Sequence, residues 1–295
     1  MASIKEALYN KKILVSDGAW GTFLHKQGLQ PGECPELWNF TNRDKVLNIA
    51  KNYIDAGADI ILTNSFGGSP FKLAHYGLQD RTFELNKLAA EISREAAGKD
   101  KLVLGSIGPS GIILMMGEVS DEVLFNGFKT QAEGLIKGGV DAICIETMSA
   151  NDEASIAIKA VKSISDIEII CTFTFEKMID GSYKTMMGIS PTEMVTSLMG
   201  ENISVIGANC GNGFENMIDI VKEIRNVEKN IPILIHANAG MPVLVNNETV
   251  FPESPEFMSS LVDELIECGA DIIGGCCGTT PAHIKAIAEK IKNIK

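Results

Sequence analysis

Cys268-Gly269-Ala270-Asp271-Ile272-Ile273-Gly274-Gly275-Cys276-Cys277-Gly278-Thr279-Thr280-Pro281 reads as one structural joint. Glycine closes a helix, a short step leads into an apolar run, and a glycine-rich turn hands the chain to Pro281, where the next helix begins. The same closure recurs at Ala56-Gly57-Ala58-Asp59 and at Gly138-Gly139-Val140-Asp141. Outward from these joints, short β-branched runs alternate with amphipathic segments. The runs cover 13–16, 59–63, 102–107, 142–146, 168–175, 203–208, 231–236 and 271–275. The helical segments cover 43–56, 81–98, 121–138, 151–164, 192–199, 214–227, 255–268 and 281–294. Apolar runs without polar alternation indicate buried parallel strands covered by helices. Eight such units favour a closed (β/α)8 barrel, for which about 250 residues is typical. A doubly wound open sheet is the alternative. No linker, low-complexity tract or change of composition divides the 295 residues, so a single α/β domain over 1–295 is expected.

Apolar residues make up 45% and charged residues 22%, which suits a globular chain with a sizeable core. The net charge is -12 and no stretch is strongly basic, which argues against nucleic acid and anionic membrane surfaces as partners. No run approaches the roughly 20 apolar residues of a membrane span, and the N-terminus lacks the apolar core of a signal peptide. A cytoplasmic location is expected. The seven cysteines are then thiols, better suited to metal or chemistry than to a disulfide frame. Cys144, Cys171 and Cys268 sit in apolar or helical patterns and read as small core residues.

Barrel enzymes carry their sites at the C-terminal ends of the strands. The unusual residues fall there: Asp17-Gly18-Ala19 after the first run, Glu146-Thr147 at the fourth, Cys210 after the sixth, His236-Ala237-Asn238 at the seventh and Cys276-Cys277 after the eighth. Adjacent residues of a regular strand point to opposite faces, so two neighbouring cysteines reach one point only if the chain leaves the strand. Gly274, Gly275 and Gly278 permit that turn. Cys210, Cys276 and Cys277 are expected to hold one Zn2+ with an open fourth position. Three thiolates make a poor water activator, but an electron-rich centre suited to deprotonating a substrate thiol. A vicinal disulfide or redox pair is the alternative for Cys276-Cys277, and simple packing for Cys210. Asp17 and Glu146 are candidates for binding an ammonium group, and the N–H groups of Gly18 and Ala19 for a carboxylate; together they would recognise an α-amino acid. Turn formation and backbone capping are the competing roles. Asn238 is a candidate weak fourth ligand or a turn residue. His236 reads as a strand-end neighbour of the centre and His283 as a surface residue.

Asp17-Gly18-Ala19-x-Gly21-Thr22, Asn209-Cys210 and Gly274-Gly275-Cys276-Cys277-Gly278 together resemble the zinc-dependent homocysteine S-methyltransferase family, in order and over nearly the whole chain. That family includes the homocysteine-binding barrel of cobalamin-dependent methionine synthase and the betaine–homocysteine methyltransferases. Thr279-Thr280-Pro281-x-His283-Ile284 and Asn238-Ala239-Gly240-x-Pro242 look most like the methionine synthase type, whereas Met186-Met187-Gly188-Ile189-Ser190-Pro191 looks closer to the betaine type. The resemblance implies a (β/α)8 methyltransferase of methionine biosynthesis with L-homocysteine as acceptor. It implies Zn2+ on Cys210, Cys276 and Cys277, the amino-acid end of the substrate at Asp17, Ala19 and Glu146, and Asn238 on zinc before substrate arrives. No D-x-H-x-x-G corrinoid motif is present, so methylcobalamin is expected on a partner corrinoid protein. S-methylmethionine or betaine-type donors, a corrinoid-linked demethylase and a non-catalytic partner-binding barrel are the alternatives.

Overall fold

The computed structural model describes residues 3–117, 119–245 and 248–294. Its main sheet has eight parallel strands: β1 (Leu14–Val15), β2 (Ile60–Leu62), β3 (Leu102–Ile107), β4 (Ala142–Met148), β5 (Glu168–Phe173), β6 (Val205–Asn209), β7 (Ile233–Ala237) and β8 (Ile272–Gly275). They pair in the order β1-β8-β7-β6-β5-β4-β3-β2. The two ends of that order meet. The Asp59 N–H donates to the Val15 carbonyl at 2.7 Å, and the Leu62 N–H donates to the Asp17 carboxylate at 2.8 Å. The sheet therefore closes into a (β/α)8 barrel, and the open-sheet alternative falls away.

The recurrent Gly-x-Asp joints do more than end helices. Gly57, Gly139 and Gly269 take φ of 104°, 98° and 107°, the left-handed region that suits glycine. The aspartate two residues later grips the preceding strand. Asp59, Asp141 and Asp271 accept the N–H of Val15, Val103 and Ile233 at 3.3, 2.8 and 2.8 Å. Their own N–H groups return to the carbonyls of the same three residues. Each carboxylate has a cation: Lys11 and Lys101 for Asp59, Arg94 for Asp141, Arg225 for Asp271.

Apolar side chains divide between the barrel interior and the layer under the helices. Leu14, Ile60, Leu104, Val205 and Leu234 fill the interior. Helix Ile4–Lys11 was not foreseen from the pattern. It places the fully buried Ile4 into that interior cluster, and the Ile4 N–H donates to Glu168 at 2.6 Å. The floor of the barrel is closed. Two further departures lie at the rim: antiparallel hairpins join Glu176–Lys177 to Tyr183–Lys184 and Val243–Val245 to Glu248–Val250. The helix expected over 255–268 divides at Leu261 into Pro255–Ser260 and Val262–Cys268. Cys144 and Cys171 are buried, as small core residues should be, whereas Cys268, read in the same way, is only half-buried. No helix among the described residues is long and apolar enough to cross a membrane.

Candidate metal centre

Cys210 follows β6 and Cys276-Cys277 follow β8. Their sulfurs all lie within 4.8 Å of one another, with 3.9 Å between Cys210 and Cys277. β7 lies between the two turns and holds both. The Cys210 N–H donates to the His236 carbonyl at 2.9 Å, the Cys276 N–H to the Ala237 carbonyl at 2.6 Å, and the Ala239 N–H to the Cys277 carbonyl at 2.9 Å. Cys210 has φ of 59°, unusual for a residue with a side chain. Its carbonyl accepts the Asn212 N–H at 2.7 Å, which tightens the turn. Gly278 has φ of 81°, and the Phe251 ring sits 2.2 Å from where a Cβ would stand. Only glycine satisfies both conditions.

The three thiols titrate together. Hydrogen bonds from Cys276 and Cys277 hold the Cys210 thiol far below its ordinary range, and sharing with that sulfur pushes the other two up. The trio carries one negative charge readily and needs a cation to carry more. Tetrahedral zinc, with sulfur at ~2.3 Å, sets its sulfurs about 3.8 Å apart. The observed spacing suits that geometry. Asn238 is 4% exposed, its side chain helps to lower the Cys210 thiol, and its Oδ1 has no donor among the described residues. A buried amide oxygen left unpaired beside three sulfurs is what a weak fourth ligand provides. The residues present fit a zinc ion.

Asp17 and Glu146 are 1% and 7% exposed. Asp17 Oδ2 accepts from the Leu62 N–H and the Trp20 indole N–H, each at 2.8 Å, and Glu146 accepts from the Ser106 hydroxyl. Neither pairs with a cation among the described residues. Burial pushes each carboxyl up to about 7, and for Glu146 the charges of Asp17 and Cys210 add to the effect. Two buried carboxylates within reach of one another's charge attract an ammonium group. His236, in β7, is 2% exposed with an unpartnered Nε2, and burial lowers it to about 4, so its ring is neutral.

Two expectations need correction. The Ala19 N–H already donates to Thr279 Oγ1 at 3.0 Å, so in this structure it does not await a carboxylate. Gly18 stands where a Cβ would lie 2.7 Å from that same hydroxyl. His283 is buried, not on the surface. Its ring nitrogens meet the Thr280 hydroxyl at 2.9 Å and the Glu253 carbonyl at 3.0 Å, fastening the rim segment before helix Pro255–Ser260 to helix Pro281–Lys292. Two supporting residues went unnoticed in the sequence. Thr279 ties the Asp17 turn to the Cys276 carbonyl (2.7 Å), and Asn209 binds the Glu146 turn. Both sit next to or near the cysteines in sequence, and their partners are distant.

A cleft of about 390 Å³ lies among the loops after β3, β4 and β5, lined by Lys72, Ile113, Met115, Thr147, Glu153 and Met187 among others; none of the three cysteines lines it. Exposed apolar side chains crown the loops after β3, β5 and β7, including Met116, Ile179, Met186, Met241 and Leu244.

A model of the family described as homocysteine S-methyltransferase matches residues 14–291. Methionine synthase of Mycobacterium tuberculosis (strain ATCC 25618 / H37Rv) is 30% identical over 304 residues, covering 97% of this chain and 25% of that protein. Methionine synthase of Mycobacterium leprae (strain TN) is 27% identical over 297 residues, covering 95% and 24%. The chain thus spans about a quarter of the length of these curated relatives. Among solved structures, the metallated form of homocysteine methyltransferase MmuM from Escherichia coli is similar in fold, with a TM-score of 0.79 at 24% identity, covering 96% of this chain and 98% of that one.

Proposed function

Since the chain belongs to the homocysteine S-methyltransferase family, we propose that it transfers a methyl group to the thiol of L-homocysteine, giving methionine, at a zinc ion held by Cys210, Cys276 and Cys277. The observation that carries this reading is the pairing of a three-sulfur centre with two buried carboxylates that lack a cation. One end suits a thiol and the other an ammonium group, which are the two ends of homocysteine. A zinc ion held there would lower the pKa of the substrate's thiol, so that its proton passes to solvent and its sulfur stays nucleophilic at neutral pH.

The chain's own residues bind and aim. Asp17 and Glu146 receive the ammonium group, and the Gly18 N–H is available to the carboxylate. Asn238 yields its place beside the sulfurs to the incoming thiol. The sulfur lone pair then forms the S–CH3 bond as the donor–CH3 bond breaks, with that electron pair leaving on the donor. Holding the bound thiol in line with the donor methyl contributes to the acceleration.

The donor in this reading is a methyl-corrinoid protein. Support comes from the methionine-rich apolar loops crowning the mouth, a surface suited to a protein partner. The cleft favours a second reading, a small methylsulfonium or quaternary ammonium donor such as S-methylmethionine or betaine, because methionines and Glu153 line it.

X-ray absorption at the zinc edge tests the acceptor. Three sulfur neighbours should become four when L-homocysteine is added. A shell that ignores homocysteine would sink the proposal. Methionine formation with methylated corrinoid protein, compared with S-methylmethionine and betaine, separates the donors.

A further inference from the structure

Among the described residues, four non-glycine residues have positive φ, and two of them, Thr147 at 63° and Cys210 at 59°, lie at this site. One side chain bears on both. Asn209 Oδ1 accepts the Thr147 N–H at 2.8 Å and the Thr172 hydroxyl at 2.7 Å, while its Nδ2 donates to Thr147 Oγ1 at 2.7 Å. Its own carbonyl accepts the Thr174 hydroxyl at 2.7 Å, and the next residue is Cys210. Asn209 is fully buried.

The partner turn is irregular. The β4–β5 register shifts between Ile145 and Met148, so Glu146-Thr147 forms a bulge. Bulges of this kind re-aim a side chain and leave main-chain groups without ladder partners. The Asn209 amide satisfies the Thr147 N–H that the ladder leaves over, and it also holds the threonine hydroxyl. A left-handed threonine is unfavourable by itself and persists only where its surroundings over-determine it. Two hydrogen bonds from one amide, itself anchored by Thr172, do so.

We infer that Asn209 is a positioning residue that fixes the Glu146 carboxylate relative to the Cys210 sulfur, and so sets the span between the ammonium and thiol ends of the substrate. The inference rests on the homocysteine reading for its substrate, but not for its geometry. No other side chain among the described residues bonds to both the N–H and the hydroxyl of Thr147. Thr172 in β5 and Thr174 just after it brace Asn209, so β4, β5 and β6 act as one frame.

The test uses Asn209→Ala, Thr147→Gly and the double variant, each loaded with zinc. Without the amide, Thr147 should relax to negative φ and carry Glu146 out of line. Zinc stoichiometry should remain that of the parent, and KM for L-homocysteine should rise about tenfold. Glycine adopts φ above zero as readily as below it, so Thr147→Gly in the Asn209→Ala background should recover part of that loss. A role confined to packing predicts no such rescue. Crystal structures of the variants give the independent readout. Thr147 holding φ near +60° in Asn209→Ala, or an unchanged KM, overturns the inference. If the parent protein fails to bind homocysteine, the functional reading falls, and the Thr147 conformation alone decides the role of Asn209.

Discussion

The carboxylate of Asp17 accepts the main-chain N–H of Leu62 at 2.8 Å, so a residue of the candidate substrate site is also a bond across the seam between β1 and β2. The two roles are separable by substitution. Asp17→Ala leaves the buried Leu62 N–H without an acceptor and should destabilise the barrel by about 1–3 kcal/mol. Asp17→Asn keeps an oxygen there and should lose much less stability, while weakening homocysteine binding as strongly. Denaturant melts beside calorimetric titrations would show this. Equal stability losses in both variants would mean the seam bond contributes little.

Cys276→Ser should lower zinc affinity more than about tenfold, since even outer hydrogen-bond partners of a metal ligand are worth that much. Bound zinc and methyl transfer should fall together. Chelation of the parent protein should abolish homocysteine binding, and added zinc should restore it. Full transfer by a zinc-free sample would remove the metal from the mechanism.

Asp17 and Glu146 are each raised to about 7 by burial, so both gain their charge only near neutrality. Affinity for the ammonium end of L-homocysteine should therefore rise from pH 6 to pH 8. Glu146→Gln should flatten part of that rise. The same shifts act on the ligand-free fold with the opposite sense. A carboxyl with a raised folded pKa favours folding fully at low pH and loses that contribution as pH climbs from about 4 toward its folded value. Calorimetric affinities and urea midpoints across this range check both signs.

Asp59 behaves oppositely. Burial alone would raise it, but Lys11 and Lys101 outweigh burial and hold it below its ordinary value. Its contribution is present above the unfolded pKa, about 3.9, and fades as pH falls through the lower folded one. Asp59→Asn should thus be less stable than the parent at pH 7, and the gap should narrow below about pH 4. A constant gap across acid titration would assign the loss to packing and not to charge.

Much of this molecule was legible in the sequence because barrel strands, helix-closing glycines and a double-cysteine turn each leave a local signature. The eight strands and the sulfur trio are of that kind. Asp59, Asp141 and Asp271 were visible two residues after the closing glycines, yet their grip on Val15, Val103 and Ile233 was not, because nothing local marks an acceptor for another strand's N–H. Ala19 failed for the same reason: its partner Thr279 lies 260 positions away. Helix Ile4–Lys11 is short and weakly patterned, and only its place across the floor of the barrel explains why Ile4 is buried.

That floor has a kinetic meaning. Ile4, Leu14, Leu104 and Leu234 fill the barrel below the strand ends, so the buried carboxylates proposed for the acceptor have a single door, the mouth. Two reactants that share one door must queue. The acceptor must arrive before the donor covers the mouth, and methionine must wait until the spent donor withdraws. Steady-state product inhibition should then follow a compulsory order, with homocysteine first on and methionine last off, and random-order patterns would reveal a second way in.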